Sequence, residues 1–158
     1  MKKIAVISAT PENWSKFETT YQSDILFDKL KNIITLCVKR GEADCLVTSM
    51  NIGLETMAAQ IALAVRQETG LKLECALPFE EQAKYFSEPN RDRYFDIVAQ
   101  CDTETLIDTK RTNNSRVKCY KYMIDSSDII IVGLTGNVQI ERLLNQSDKQ
   151  IIRMDIGA

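Results

Sequence analysis

Three short segments hold the residues best suited to meet a ligand. The first is Ser8-Ala9-Thr10-Pro11-Glu12-Asn13-Trp14, with two hydroxyls, a carboxylate and the only tryptophan of the chain. The second is Ser49-Met50-Asn51-Ile52-Gly53-Leu54-Glu55. Gly53 at a helix start lets backbone come close to a bound group, and Ser49 and Asn51 offer side-chain hydrogen bonds, so the segment could cradle a phosphate. A plain helix cap explains the same residues. On that reading Gly53 or Asn51 caps the helix and Glu55 complements its dipole, and Glu55 would repel a phosphate placed nearby. The third segment, Gly133-Leu134-Thr135-Gly136-Asn137, carries two glycines and a threonine. It reads either as a ligand loop or as a tight turn. Trp14 could stack on a base or close over the core. Glu55 is the candidate catalytic residue, with Glu12 behind it. A carboxylate can stabilise positive charge developing at a ribose carbon or activate water.

Other chemistry is excluded by composition. The chain has no histidine, which removes Ser-His and Cys-His pairs, histidine metal ligands and the usual proton shuttle at neutral pH. Five cysteines, Cys37, Cys45, Cys75, Cys101 and Cys119, are widely spaced with no Cys-x-x-Cys pair, as expected of buried free thiols in a reducing compartment. Cys119 is the least firmly placed in that set. No metal site is expected. Twenty Lys and Arg against 22 Asp and Glu are scattered along the chain, so the overall field does not favour nucleic acid. No run reaches the ~20 apolar residues of a membrane span, and Met1 to Ile7 lacks the features of a signal peptide. A cytoplasmic protein without membrane contact is expected, with a homodimer possible.

Apolar, β-branched runs alternate with stretches of helical period, and this alternation must position the three segments. Lys3 to Ser8 is a first strand. Ile25, Leu26, Leu30, Ile33, Ile34, Cys37 and Val38 give a helix over 23–40 that Gly41 stops. Cys45 to Ser49 is a second strand, followed by a helix over 54–68 that Gly70 ends. A third strand over 71–77 is stopped by Pro78. A helix over 90–100, a weak strand over 103–107 and a polar loop over 109–115 come next. A helix over 116–126 leads to Asp128-Ile129-Ile130-Ile131-Val132, an unbroken run of the kind found at a sheet centre. A further helix to about Asn145 and a strand over 151–156 complete the pattern. Tyr85, Phe86, Tyr94 and Phe95 read as packing residues. Length and pattern predict one domain over 1–158. Its fold is a Rossmann-like three-layer α/β/α sandwich with a mainly parallel sheet of five to seven strands. In such sheets ligands bind beyond the carboxyl ends of the strands, where all three segments fall.

Several motifs resemble one family. Thr48-Ser-Met-Asn-Ile-Gly-Leu-Glu-Thr-Met-Ala-Ala59 is similar to Ser-Gly-Met-Ala-Leu-Gly-x-Asp-x-x-Ala-Ala. Leu77-Pro-Phe-Glu-Glu-Gln82 resembles Pro-Phe-x-x-Gln; Glu88-Pro89-Asn90, Tyr94 and Ala99-Gln-Cys-Asp102 follow in order. Tyr122-Met-Ile-Asp-Ser-Ser-Asp128 resembles Tyr-Met-Val-Asp-x-Ser-Asp. These are marks of the YpsA-like branch of the SLOG superfamily, which also holds the DprA and LOG proteins. The resemblance implies a module for a nucleotide-derived ligand such as NAD, ADP-ribose or a signalling nucleotide, with no required cofactor. Departures are concentrated at the phosphate-binding positions. The Thr-Gly-His-Arg turn is Ser8-Ala-Thr-Pro11, Ser49 replaces a glycine, Glu55 replaces Asp, Cys119-Tyr120 replaces Arg-Asn, and Gly-Gly-Thr becomes Gly136-Asn-Val138. The phosphoribohydrolase motif Pro-Gly-Gly-x-Gly-Thr has no counterpart. The expected role is therefore binding with a degenerate phosphate site. The expected ligand-facing residues are Ser8, Thr10, Ser49, Met50, Asn51, Gly53, Glu55, Pro78, Gly133, Thr135, Gly136 and Asn137. The alternatives are an N-glycosidic hydrolase acting on nucleotides, and a regulatory protein-interaction domain with a lost pocket.

Overall fold

A computed structural model describes residues 1–8, 21–133, 135 and 137–154. Its strands are β1 (Lys3–Ile7), β2 (Cys45–Thr48), β3 (Lys72–Phe79), β4 (Thr103–Asp108), β5 (Ile129–Val132) and β6 (Gln150–Arg153). The described helices are α1 (Tyr21–Lys39), α2 (Leu54–Thr69), α3 (Glu88–Gln100), α4 (Ser115–Ser126) and α5 (Val138–Gln146). The six strands form one sheet in the order β4-β3-β2-β1-β5-β6, and every pairing is parallel. The chain thus runs outward from β1 to β4 and then returns to place β5 against the other side of β1. That reversal defines the crevice between β1 and β5 at their carboxyl ends.

Strand side chains alternate between two helical layers, as the two-residue period requires. Ile4 and Val6 of β1 belong to the buried cluster that also holds Leu30 and Ile34 of α1, Ala58 and Ile61 of α2, and Ile97 of α3. Ala5 and Ile7 face the other way, onto Tyr120, Met123 and Ile124 of α4 and Leu144 of α5. All four residues of β5 are buried, in keeping with its unbroken apolar sequence. Each such side chain contributes roughly 1.5–3 kcal/mol. Gly70 ends α2 in the left-handed conformation, with φ +74°, and its N–H donates to the Arg66 carbonyl, as a glycine stop should.

One element boundary differs from the sequence pattern in an informative way. Pro78 does not stop the third strand; it lies inside β3, whose Leu77 and Phe79 stay in register with Leu106 and Asp108. Because β2 ends at Thr48, opposite Cys75, β3 has a single neighbour beyond that point and tolerates a residue without an N–H. The final strand pairs with β5 as far as Arg153 opposite Val132, and residues 155 and 156 of the expected strand lie outside the described residues. Tyr85 and Phe95, read as packing residues, are 85% and 58% exposed. Tyr94 is buried, with ring edges of Phe86 and Phe95 centred 5.8 and 5.2 Å away. No described helix is long and apolar enough to cross a membrane.

Candidate functional site

At the carboxyl edge Ser8 at the end of β1, the turn after β2 and Gly133 at the end of β5 come together. Glu55, in the first turn of α2, is wholly buried there. One carboxylate oxygen accepts the backbone N–H of Ser8 at 3.1 Å and the Tyr120 hydroxyl at 2.6 Å. The other accepts the backbone N–H of Ser49 at 3.2 Å and the Ser49 hydroxyl. Four donors from β1, β2 and α4 thus converge on one side chain, and a carboxylate has about four acceptor sites to offer. Burial pushes the Glu55 carboxyl above its ordinary range; hydrogen bonds from Ser49, Tyr120 and the Ser8 amide, and the Arg116 charge, pull against that rise. Burial and the neighbouring carboxylate push the Tyr120 phenol well up.

The turn between β2 and α2 is shaped by its own hydrogen bonds. The Thr48 hydroxyl donates to the Glu55 carbonyl at 2.9 Å, and the Thr56 hydroxyl to the Asn51 carbonyl at 2.8 Å. Gly53 has φ +112° with ψ −130°, a conformation essentially restricted to glycine. Met50, fully buried, has φ +62°, unusual for a residue with a long side chain. Across the crevice, the Gly133 N–H donates to the Ile7 carbonyl at 2.9 Å. A Cβ at Gly133 would meet Leu54 Cδ2 at 2.8 Å and Ser8 Oγ at 2.9 Å, so close packing of β5 against β1 and α2 requires glycine there. The Thr135 hydroxyl donates to Glu141 at 2.5 Å, and Glu141 also pairs with Arg153 at 2.9 Å. Asn137 caps α5, its side-chain oxygen accepting the N–H groups of Gln139 and Ile140 at 2.9 and 3.2 Å.

The structure therefore gathers Ser8, Ser49, Met50, Asn51, Gly53, Glu55, Gly133, Thr135 and Asn137 along one edge of the sheet. Pro78 lies at the same edge within β3. Thr10, Glu12, Trp14 and Gly136 lie outside the described residues. Tyr120 was not foreseen as part of the site, since Cys119-Tyr120 reads as a loss of polar groups by comparison with the family pattern. Cys119 is buried, its thiol contacts the Ala76 carbonyl at 3.1 Å, and burial pushes it far up, so it is an inert core residue.

An open pocket of about 530 Å³ adjoins this closed network. It lies at the carboxyl ends of β3 and β4, between the segments 79–86 and 109–116. Gln82 joins the two regions, because it lines the pocket and its side-chain amide donates to the Ser49 carbonyl at 2.8 Å. Phe79 forms part of the wall, with the guanidinium groups of Arg111 and Arg116 each 5.7 Å from its ring centre. These residues escaped sequence reading because 109–115 appeared only as a polar loop and Arg116 only as a helix residue. The adjacent cations Lys110 and Arg111, directly after a strand end, were the available signal.

Comparison with known proteins agrees with this architecture. A YpsA family model, described as the YspA SLOG family, matches residues 17–137. The UPF0398 protein YpsA of Bacillus subtilis is 28% identical over 137 residues, covering 84% of this chain and 75% of that protein. A UPF0398 protein of Lactobacillus delbrueckii is 30% identical over 73 residues, 46% of this chain but only 39% of that protein's length. Among solved structures, DNA processing protein A of Helicobacter pylori, described with a single-stranded DNA binding mode, superposes with a TM-score of 0.64. That match has 18% identity and covers 96% of this chain and 64% of the other, so what it shows is a shared fold. With the parallel six-stranded sheet and a match over most of its length, this chain belongs to the YpsA family of SLOG proteins.

Proposed function

We propose that this chain is a non-catalytic binding module for a nucleotide-derived ligand seated at the carboxyl edge of its sheet. The observation that supports this most directly is that Ser8, the turn after β2 and Gly133 meet at the strand-order reversal, where open α/β sheets bind ligands. Glu55 organises that convergence. Its carboxylate holds the ends of β1 and β2 and the Tyr120 hydroxyl in one network, so a ligand meets the rim of this edge rather than Glu55 itself.

The same network argues against the hydrolase reading. A general base or a stabiliser of a ribosyl cation must reach the substrate, whereas Glu55 is wholly buried and accepts four hydrogen bonds. Calorimetric titration with NAD, ADP-ribose and cyclic nucleotides tests the binding reading. Saturable binding of one of them is expected, and no heat across the panel would refute it. Incubation with NAD and nucleoside monophosphates, monitored for free base, should show no turnover above background. Measurable release of base would restore the enzymatic reading.

A further inference from the structure

We propose that the pocket at the ends of β3 and β4 is a phosphate subsite that holds the phosphate of a small nucleotide. The inference rests on the nucleotide reading above and adds where the anion sits. In α/β folds the phosphate normally takes the backbone N–H donors at the crevice. Here the Ser8 and Ser49 N–H groups are already given to Glu55, so that location offers a phosphate a carboxylate in place of donors.

The adjoining pocket has the opposite character. Arg111 and Arg116 stack near one phenyl ring, and neither makes an ion pair among the described residues. Nη1 of Arg116 is buried and donates to nothing, an arrangement that an incoming oxyanion would relieve. Lys110 adds a third cation to the lining. Against them stand Glu80 and Glu81, and Glu81 already faces Lys84 at 3.6 Å. The pocket also adjoins the first turn of α4, which contains no acidic residue of its own, and the carboxylate beside that turn, Asp108, is already held by the Ser115 hydroxyl at 2.8 Å and by Lys118 at 3.2 Å.

Two further features point to a nucleotide rather than a bare anion. Gln82 is 5% exposed, lines the pocket and has a buried side-chain oxygen with no donor; a sugar hydroxyl is the matching partner. Tyr85 presents an exposed ring on the pocket wall, on which a base can stack. The volume falls within the usual range of about 300–1,000 Å³ for small-molecule sites.

The test is titration of the full chain, at low and moderate salt, with inorganic pyrophosphate, ADP and a ten-nucleotide oligothymidylate. Arg116→Ala and the exposed charge reversal Arg111→Glu are the variants, the second of them placed where folding is not at risk. ADP is expected to bind more tightly than pyrophosphate, and both are expected to weaken at least tenfold in each variant. Pyrophosphate binding that depends on the two arginines, with no gain from the nucleoside, would uphold the phosphate subsite and refute the nucleotide reading. ADP binding unchanged by Arg111→Glu and by Arg116→Ala would overturn the subsite and leave the nucleotide reading standing. Oligonucleotide binding at least tenfold tighter than ADP would also overturn it, in favour of a single-stranded nucleic acid surface.

Discussion

Replacing Glu55 by Gln changes one oxygen to an NH2 group and nothing in size, yet the structure predicts a substantial loss of stability. Each carboxylate oxygen accepts one backbone N–H, from Ser8 on one side and from Ser49 on the other. An amide has one oxygen, so either orientation sets its NH2 against a backbone N–H that can only donate. The hydroxyls of Ser49 and Tyr120 can rotate to accept from that NH2, but the backbone donor has no such freedom. A buried donor left unsatisfied costs about 1–3 kcal/mol, and the hydrogen bonds that remain lose their charge assistance. A net cost of about 2 kcal/mol or more corresponds to a fall in Tm of about 4–8 °C for a chain of this size. Calorimetry at pH 7 reads this directly. A Tm within about 1 °C of the parent would refute the four-donor arrangement, since no orientation of the amide satisfies both backbone groups. The cycle with Tyr120→Phe sharpens the test: the two substitutions share one hydrogen bond, so their costs should fall short of additive.

Further predictions follow from other parts of the molecule. Gly133→Ala should destabilise by about 1–3 kcal/mol, because Leu54 and Ser8 must retreat from the new methyl group; denaturant titration gives the value. Asn137→Ala removes the cap of α5 and should cost about 1 kcal/mol, again read from the denaturation midpoint. Burial alone would raise the Glu74 carboxyl, but hydrogen bonds from Lys3, Tyr122 and Thr105 outweigh it and hold the group below its ordinary range. The stability it contributes is therefore complete above the unfolded carboxyl pKa of about 4.3 and is lost as pH falls through the lower folded value; Glu74→Gln should flatten that acid limb in a Tm-versus-pH series. Ellman's reagent should react with Cys101 before the four buried thiols, of which Cys45 is pushed by burial up to about 11.

The fold was legible because its signals are local and redundant. The β-branched run at 129–132 and the three- and four-residue spacing at 25–38 each report burial on one element, and glycines at 41 and 70 mark the stops. The edge strand β4 was also found, although three of its six residues are exposed, because its place between two helices left room for nothing else. Pro78 misled because a proline's effect depends on whether a neighbouring strand needs its N–H, and that is set by the length of β2. The site was only half legible for a related reason. Ser8, Ser49, Glu55 and Gly133 announce themselves as turn residues, whereas Tyr120 joins them across 65 positions of sequence, and Arg116 and Gln82 meet only when α4 packs over β3.

Glu55 explains how this edge of the sheet stays closed on its own groups. A crevice lined with unsatisfied N–H groups is costly when empty, since buried donors without partners destabilise the fold by about 1–3 kcal/mol each. A built-in carboxyl group takes the place of an anion and satisfies those donors, its four hydrogen bonds opposing the cost of its burial. The geometry around Ser8 and Ser49 therefore does not depend on a ligand arriving. Cations gather instead at the pocket over Phe79, where the structure brings Arg111 and Arg116 together. On this argument Glu55→Gln should change folding stability far more than it changes pyrophosphate affinity, whereas Arg111→Glu should do the reverse.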